Sequence, residues 1–170
     1  MRKFMLIAAT LVCWPISASA QETTPAPAAT APATPANDAT KFITGIIDKF
    51  NGGDVKAWVS AQADDTLIVD EFAPHAWSGA GSAKRWLDDY AKDATANGIT
   101  GGRVDYGQPL QARSDGTTAY VVLPTTYRFM QKGVKMAEPS SMTFVMKRQG
   151  NGWTVTSWTY SATAAAAPEK

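Results

Sequence analysis

Arg103 to Ser161 reads RVDYGQPLQARSDGTTAYVVLPTTYRFMQKGVKMAEPSSMTFVMKRQGNGWTVTSWTYS, and the fold turns on this stretch. Its β-branched and aromatic residues fall into four runs, Arg103–Arg113, Thr117–Gln131, Val134–Arg148 and Trp153–Ser161, each predicted to be a strand. The breaks are Ser114-Asp115-Gly116, a turn containing Lys132-Gly133, and Gly150-Asn151-Gly152. All three are hairpin chemistry, so the strands are expected to be sequential neighbours and antiparallel. Pro109, Pro124 and Pro139 sit inside or beside strands, which predicts bends, bulges or edges rather than flat central ladders.

Upstream the period changes to that of helices. Asp38 is placed to cap a helix over Ala39–Phe50, where Phe42, Ile43, Ile46, Ile47 and Phe50 recur on one face before Gly52-Gly53 stop it. Asp54 then caps a shorter helix with Val55, Trp58 and Val59 inward, and Thr66–Asp70 is a short β-branched strand. Gly79–Ser82 leads into a third helix striped by Trp86, Leu87, Tyr90 and Ala94 and ended by Asn97-Gly98. Helices followed by a meander predict an α+β arrangement, with the helices on one face of the sheet.

The ends read differently. Arg2 and Lys3 precede an almost wholly apolar run from Phe4 to Trp14; Pro15 and Ala18-Ser19-Ala20 follow, which predicts a signal peptide cleaved after Ala20. The run is too short for a permanent membrane anchor. A lipoprotein reading would use Cys13, but Val12 before it is larger than the usual Gly or Ala. Residues 21–38 are Pro/Ala/Thr-rich and are expected to be a disordered linker, 39–161 the folded domain, and 162–170 a disordered tail. The expected compartment is periplasmic or secreted.

Charge excludes several functions. The 170 residues carry 16 Lys+Arg, 15 Asp+Glu and one His, a net +1, so no basic surplus exists to neutralise nucleic-acid phosphates. Loss of Arg2 and Lys3 leaves 14 basic against 15 acidic residues. Cys13 has no internal disulfide partner, and a single His rules out a His-rich metal site. No metal and no cofactor are expected.

The order helix–helix–strand–helix followed by four long bent strands resembles the NTF2-like superfamily, which includes SnoaL-like proteins. The stretch GGDVKAWVSAQADDTLIVDEFAPHAWSG (Gly52–Gly79) is similar to that superfamily's helix–strand–loop signature: a GD opening the second helix, an acidic pair before the first strand, a Gly before the third helix. The resemblance covers about 40–161. It implies a cone of three N-terminal helices packed on a strongly curved antiparallel sheet, and little about function, because this fold hosts enzymes and non-enzymes alike. Within the family the nearest motif match is ketosteroid isomerase, in which an Asp base faces an oxyanion hole of a Tyr and a protonated Asp. The resemblance puts Asp70 at the base, but Ile46 and Phe144 stand where the two donors would be, so classical ketosteroid isomerase activity is not expected.

The candidate catalytic residues are Asp70 and His75. Asp70 in an apolar cone would have its pKa raised to a value useful for a general base, and is otherwise a strand end exiting to solvent. His75, the sole imidazole, would pair with Asp70 across the cavity mouth or lie on the surface. Trp77, Tyr106, Tyr127, Trp158 and Tyr160 are the candidate ligand-binding aromatics, with core packing as the alternative. Strict alternation places Trp158 and Tyr160 on one face of the last strand and Trp153 and Val155 on the other. Arg128 would hold an acidic ligand or face solvent. Ser60, Ser78 and Ser82 lie in no nucleophile-elbow pattern, which excludes a serine hydrolase of that type.

Three functions follow: an exported domain binding a small hydrophobic molecule in its cone, a cofactor-free isomerase, dehydratase or cyclase using Asp70 as base, or a non-catalytic dimeric scaffold. A homodimer is expected through the uncovered sheet face, with Val121, Leu123 or Val145 as its apolar residues.

Overall fold

The computed structural model describes residues 35–167. The expected signal peptide and residues 21–34 of the expected linker lie outside them. In chain order the elements are α1 (Pro35–Asn51), α2 (Val55–Ser60), β1 (Gln62–Val69), β2 (Ala76–Trp77), α3 (Ser82–Asn97), β3 (Ile99–Tyr106), β4 (Gln111–Ser114), β5 (Thr118–Gln131), β6 (Val134–Gln149) and β7 (Gly152–Ala162).

α1 starts at Pro35, earlier than the expected Ala39. Proline fits a helix's first turn, where the N–H it lacks has no intrahelical partner, so residues expected in the linker join the helix. Asp38 therefore lies in the first turn rather than at the cap, where its charge still favours the helix dipole. Ala39, Ile43, Ile46 and Ile47 are buried on one side of α1. Asp54 does cap α2: its carboxylate accepts from Ala57 N at 3.0 Å. α3 ends at Gly98, whose φ of 67° lets its N–H turn back to the carbonyls of Ala94 and Thr95.

The helices pack on a curved, unclosed sheet of order β2-β1-β7-β6-β5-β3, with β4 also pairing β5. The β5–β6 hairpin runs in one register from Thr118↔Lys147 to Gln131↔Val134. Lys132 and Gly133 close it with φ of 49° and 84°, the paired positive values that a two-residue hairpin turn needs. The meander is antiparallel as expected. β1, however, pairs β7 in parallel, so the sheet is mixed.

The stretch 103–113 forms two strands, β3 and β4, with Pro109 in the gap. Pro124 shows why this is tolerated. Its carbonyl accepts from Gly107 N at 3.0 Å, so its nitrogen faces the same side, where the neighbouring strand is interrupted and no ladder bond is lost. Pro139 likewise presents its carbonyl to Thr163 N at 3.0 Å, beyond the end of β7. The segment after Ala162, expected as a frayed tail, thus continues along β6, where Ala137 and Ala166 exchange bonds of 2.9 and 3.0 Å. β6 outlasts β7 there, and its backbone groups need partners.

Strict alternation fails in β7. Met146 pairs Val155 but Val145 pairs Ser157, which leaves Thr156 as an extra residue. This bulge resets the facing, and Trp153, Val155, Trp158 and Tyr160 all join one core cluster instead of dividing between two faces. Val121 and Leu123 also correct the expected outer face, for both are fully buried on the helix side. The outward set contains Tyr120 and Val145, which sit directly opposite each other on β5 and β6.

Candidate functional site

Beneath α3 the sheet and helices enclose a cavity of about 250 Å³. Phe50, Trp58, Phe72, Trp86, Tyr90 and Trp158 form much of its wall. Trp86 meets Trp158 edge-on, with ring centres 4.9 Å apart at 85°, and stacks on Tyr90 at 5.5 Å and 14°. These are favoured aromatic geometries, so the rings hold one another in place.

Asp70 follows the last residue of β1 and is 7% exposed. Its backbone N donates to His75 O at 3.0 Å, which closes the loop and turns the carboxyl inward. Oδ2 accepts from Trp86 Nε1 at 2.9 Å, and Oδ1 accepts from Glu71 N at 2.7 Å. Burial raises the Asp70 pKa from 3.8 to about 6; those two bonds oppose the rise, while the charges of Glu138 and Asp93 add to it. The carboxyl is therefore mostly ionised at neutral pH yet far more basic than an ordinary aspartate.

Glu71 stands beside it, pushed up to about 7 by burial first and then by the carboxylates of Glu138 and Asp70. Glu138 is 6% exposed and accepts from Tyr160 Oη at 3.1 Å. Tyr90 and Tyr127 share a hydroxyl–hydroxyl bond of 2.7 Å. Burial raises the pKa of all three phenols, which keeps them protonated and able to donate. Gly102 makes room for the Tyr90–Tyr127 pair, since a Cβ at that position would overlap both hydroxyls.

Asp70, Tyr127, Trp158 and Tyr160 line the cavity together; His75, Trp77 and Tyr106 do not. His75 is exposed, with φ 73°, and is joined to Asp70 through its backbone carbonyl rather than its ring. Trp77 is buried against Phe72 and donates Nε1 to Asp89 Oδ2 at 3.0 Å. Tyr106 reaches Asp48 with its hydroxyl, at 3.0 Å to Oδ2. Arg128 faces solvent and pairs with Asp105 at 2.8 Å. Ile46 and Phe144 are both buried in the core.

Glu71, Asp93, Glu138 and Tyr90 also line it and are not among the site residues expected from sequence. For Glu138 a signal exists. It has the same parity along β6 as the buried Met142, Phe144 and Met146, so alternation alone puts this acid on the apolar face. Among the described residues no three His, Cys, Asp or Glu side chains are arranged to hold a metal ion, and no helix is long and apolar enough to cross a membrane.

A family model described as a SnoaL-like domain matches residues 40–165. The fold is similar to hexachlorocyclohexane dehydrochlorinase LinA-type3 from Novosphingobium barchaimii LL02, at 7% identity and TM-score 0.63, covering 77% of this chain and 88% of that one. It is also similar to the CaMKII hub of S. rosetta, at 17% identity and TM-score 0.62, over 78% and 99% of the two chains. An NTF2-like protein with a cystatin-like fold from Novosphingobium aromaticivorans matches at 16% identity and TM-score 0.57, over 74% and 79%. No curated protein matches the chain.

Proposed function

The chain belongs to the SnoaL-like domain family, and from that premise we propose that it binds a small hydrophobic molecule in the cavity under α3. The observation that carries this reading is the cavity itself. An apolar engineered cavity of about 150 Å³ suffices to bind benzene, and this one, at about 250 Å³ and walled by aromatic rings, is larger. A fully packed cone, which a pure scaffold would favour, is not what the rings enclose. The test is native mass spectrometry of the protein purified from its own source, followed by displacement of any bound species. A protein that carries nothing, and whose tryptophan fluorescence responds to no small aromatic compound, would defeat the reading.

A second reading rests on Asp70. Its two oxygens are each fixed by one donor, inside an apolar space, with the pKa raised to about 6. Such a group suits general-base chemistry of isomerase, dehydratase or cyclase type without a cofactor. One structural neighbour is named for a dehydrochlorination, a reaction that requires a proton to be removed. Asp70→Asn should then leave binding of an uncharged ligand intact and abolish turnover.

Export and dimerisation belong to the same proposal. Arg2-Lys3, the apolar run and Ala18-Ser19-Ala20 support secretion or periplasmic delivery, and amino-terminal sequencing of the exported protein should begin at Gln21. The outer sheet face around Tyr120 and Val145 is the proposed homodimer surface.

A further inference from the structure

The charge of the cavity is one-sided. Asp70, Glu71, Asp93 and Glu138 line it, and no described residue of its lining is Lys, Arg or His. Asp70 and Glu138 are more than nine-tenths buried, and their hydrogen-bond partners are neutral donors, Trp86 Nε1, Glu71 N and the Tyr160 hydroxyl, with the Glu71 carboxyl also bonded to Glu138. The ion pairs among the described residues lie elsewhere, as in Lys84–Asp88 and Arg128–Asp105. Buried carboxylates are ordinarily paired with a cation or neutralised. No described residue of the lining supplies a cation here.

The wall points the same way. Trp58, Trp86, Tyr90 and Trp158 border the same space as those acids. Aromatic faces carry the negative end of the ring quadrupole, and a positive charge set over them in a desolvated site is attracted. A divalent metal does not fit, because no three acids are arranged to ligate one among the described residues. An anionic guest would be repelled by these carboxyl groups, and a purely apolar one would deepen their desolvation.

On the reading that this cavity holds a small apolar molecule, we propose that the molecule is an organic cation, a protonated or quaternary amine on an apolar body. Its charge sits among Asp70, Glu71 and Glu138, and its body lies against the tryptophan rings. A cation among these carboxyl groups would return them toward ordinary acidity.

Calorimetric titration of the purified full-length protein with benzyltrimethylammonium and with neopentylbenzene, the uncharged hydrocarbon of the same shape, tests this. The cation should bind at least about tenfold more tightly than the hydrocarbon, from its charge pairing and cation–π attraction combined. Glu138→Gln should cut cation affinity by about tenfold and leave hydrocarbon affinity within about twofold, because it removes charge and little volume. Should that variant not fold, Glu71→Gln at the more exposed rim gives the same comparison. A hydrocarbon that binds as tightly as the cation, or more so, overturns the inference while the binding pocket stands. Binding of neither probe overturns the pocket reading and this inference together.

Discussion

Trp86 Nε1 donates to Asp70 Oδ2 across 2.9 Å, so the side chain that anchors α3 in the core also holds the carboxyl at the end of β1. The bond strengthens when Asp70 is ionised, and it therefore opposes the desolvation that raises the pKa. One contact thus couples helix packing to the acidity of the site.

Trp86→Phe keeps an aromatic ring in place and removes this donor. The Asp70 carboxyl should then titrate above about 6, and stability at neutral pH should fall by about 1.5–3 kcal/mol, the usual worth of a hydrogen bond to a charged group. An NMR titration of the carboxyl carbon with a urea melt measures both. An unchanged titration would show that the bond does not tune Asp70.

For Asp70→Asn the sign follows from the raised value. Between 3.8 and about 6 the folded chain holds a proton that the unfolded chain has released, so the stabilising contribution is complete below 3.8 and lost as pH rises through 6. The Asn variant lacks this loss. Its stability relative to wild type should improve by on the order of 3 kcal/mol between about pH 3 and about pH 8. Urea midpoints at the two ends decide it, and a pH-independent difference would refute the raised pKa.

Gly102→Ala should push Tyr90 and Tyr127 apart and cost about 1–3 kcal/mol, as overpacking does. Adding Tyr127→Phe removes one of the overlapping oxygens and should recover part of that cost. A double-mutant cycle reads the coupling, and strict additivity would mean that the backbone simply moves aside.

The outer sheet face should form the dimer. Tyr120 is 39% exposed and lies opposite Val145. Sedimentation at roughly tens of micromolar should give a dimer, and Tyr120→Glu should give a monomer, because a charge would be buried in an apolar contact. A monomeric wild type would remove the proposal.

Turn chemistry is legible residue by residue. Lys132-Gly133 and Gly150-Asn151-Gly152 place the β5–β6 and β6–β7 hairpins because Gly133 and Gly150 take the positive φ the turns need. Period-3.6 stripes likewise locate α2 and α3. The Thr156 bulge is not legible, since no residue there announces an extra position, and one such slip moves Trp153 and Val155 across the sheet. In the site, Asp70 is marked by the family position, and Tyr127, Trp158 and Tyr160 by being polar-tipped aromatics. His75, Trp77 and Tyr106 are equally plausible by residue type. Only the tight 70–75 loop, the Asp89 bond and the Asp48 bond separate them from the cavity, and none of these is written in the residue types themselves.

The parallel pairing of β1 with β7 has a consequence in time rather than in space. Ile68 is registered with Trp158, and Trp158 Nε1 donates to Gln62 Oε1 at 2.9 Å. On the ribosome, β1 emerges long before its partner, so the core cannot close until β7 has been made. Non-local closure of this kind is slow and leaves apolar strands uncovered in the interval. A nascent chain built this way stays open, and threadable through a narrow channel, until β7 is made.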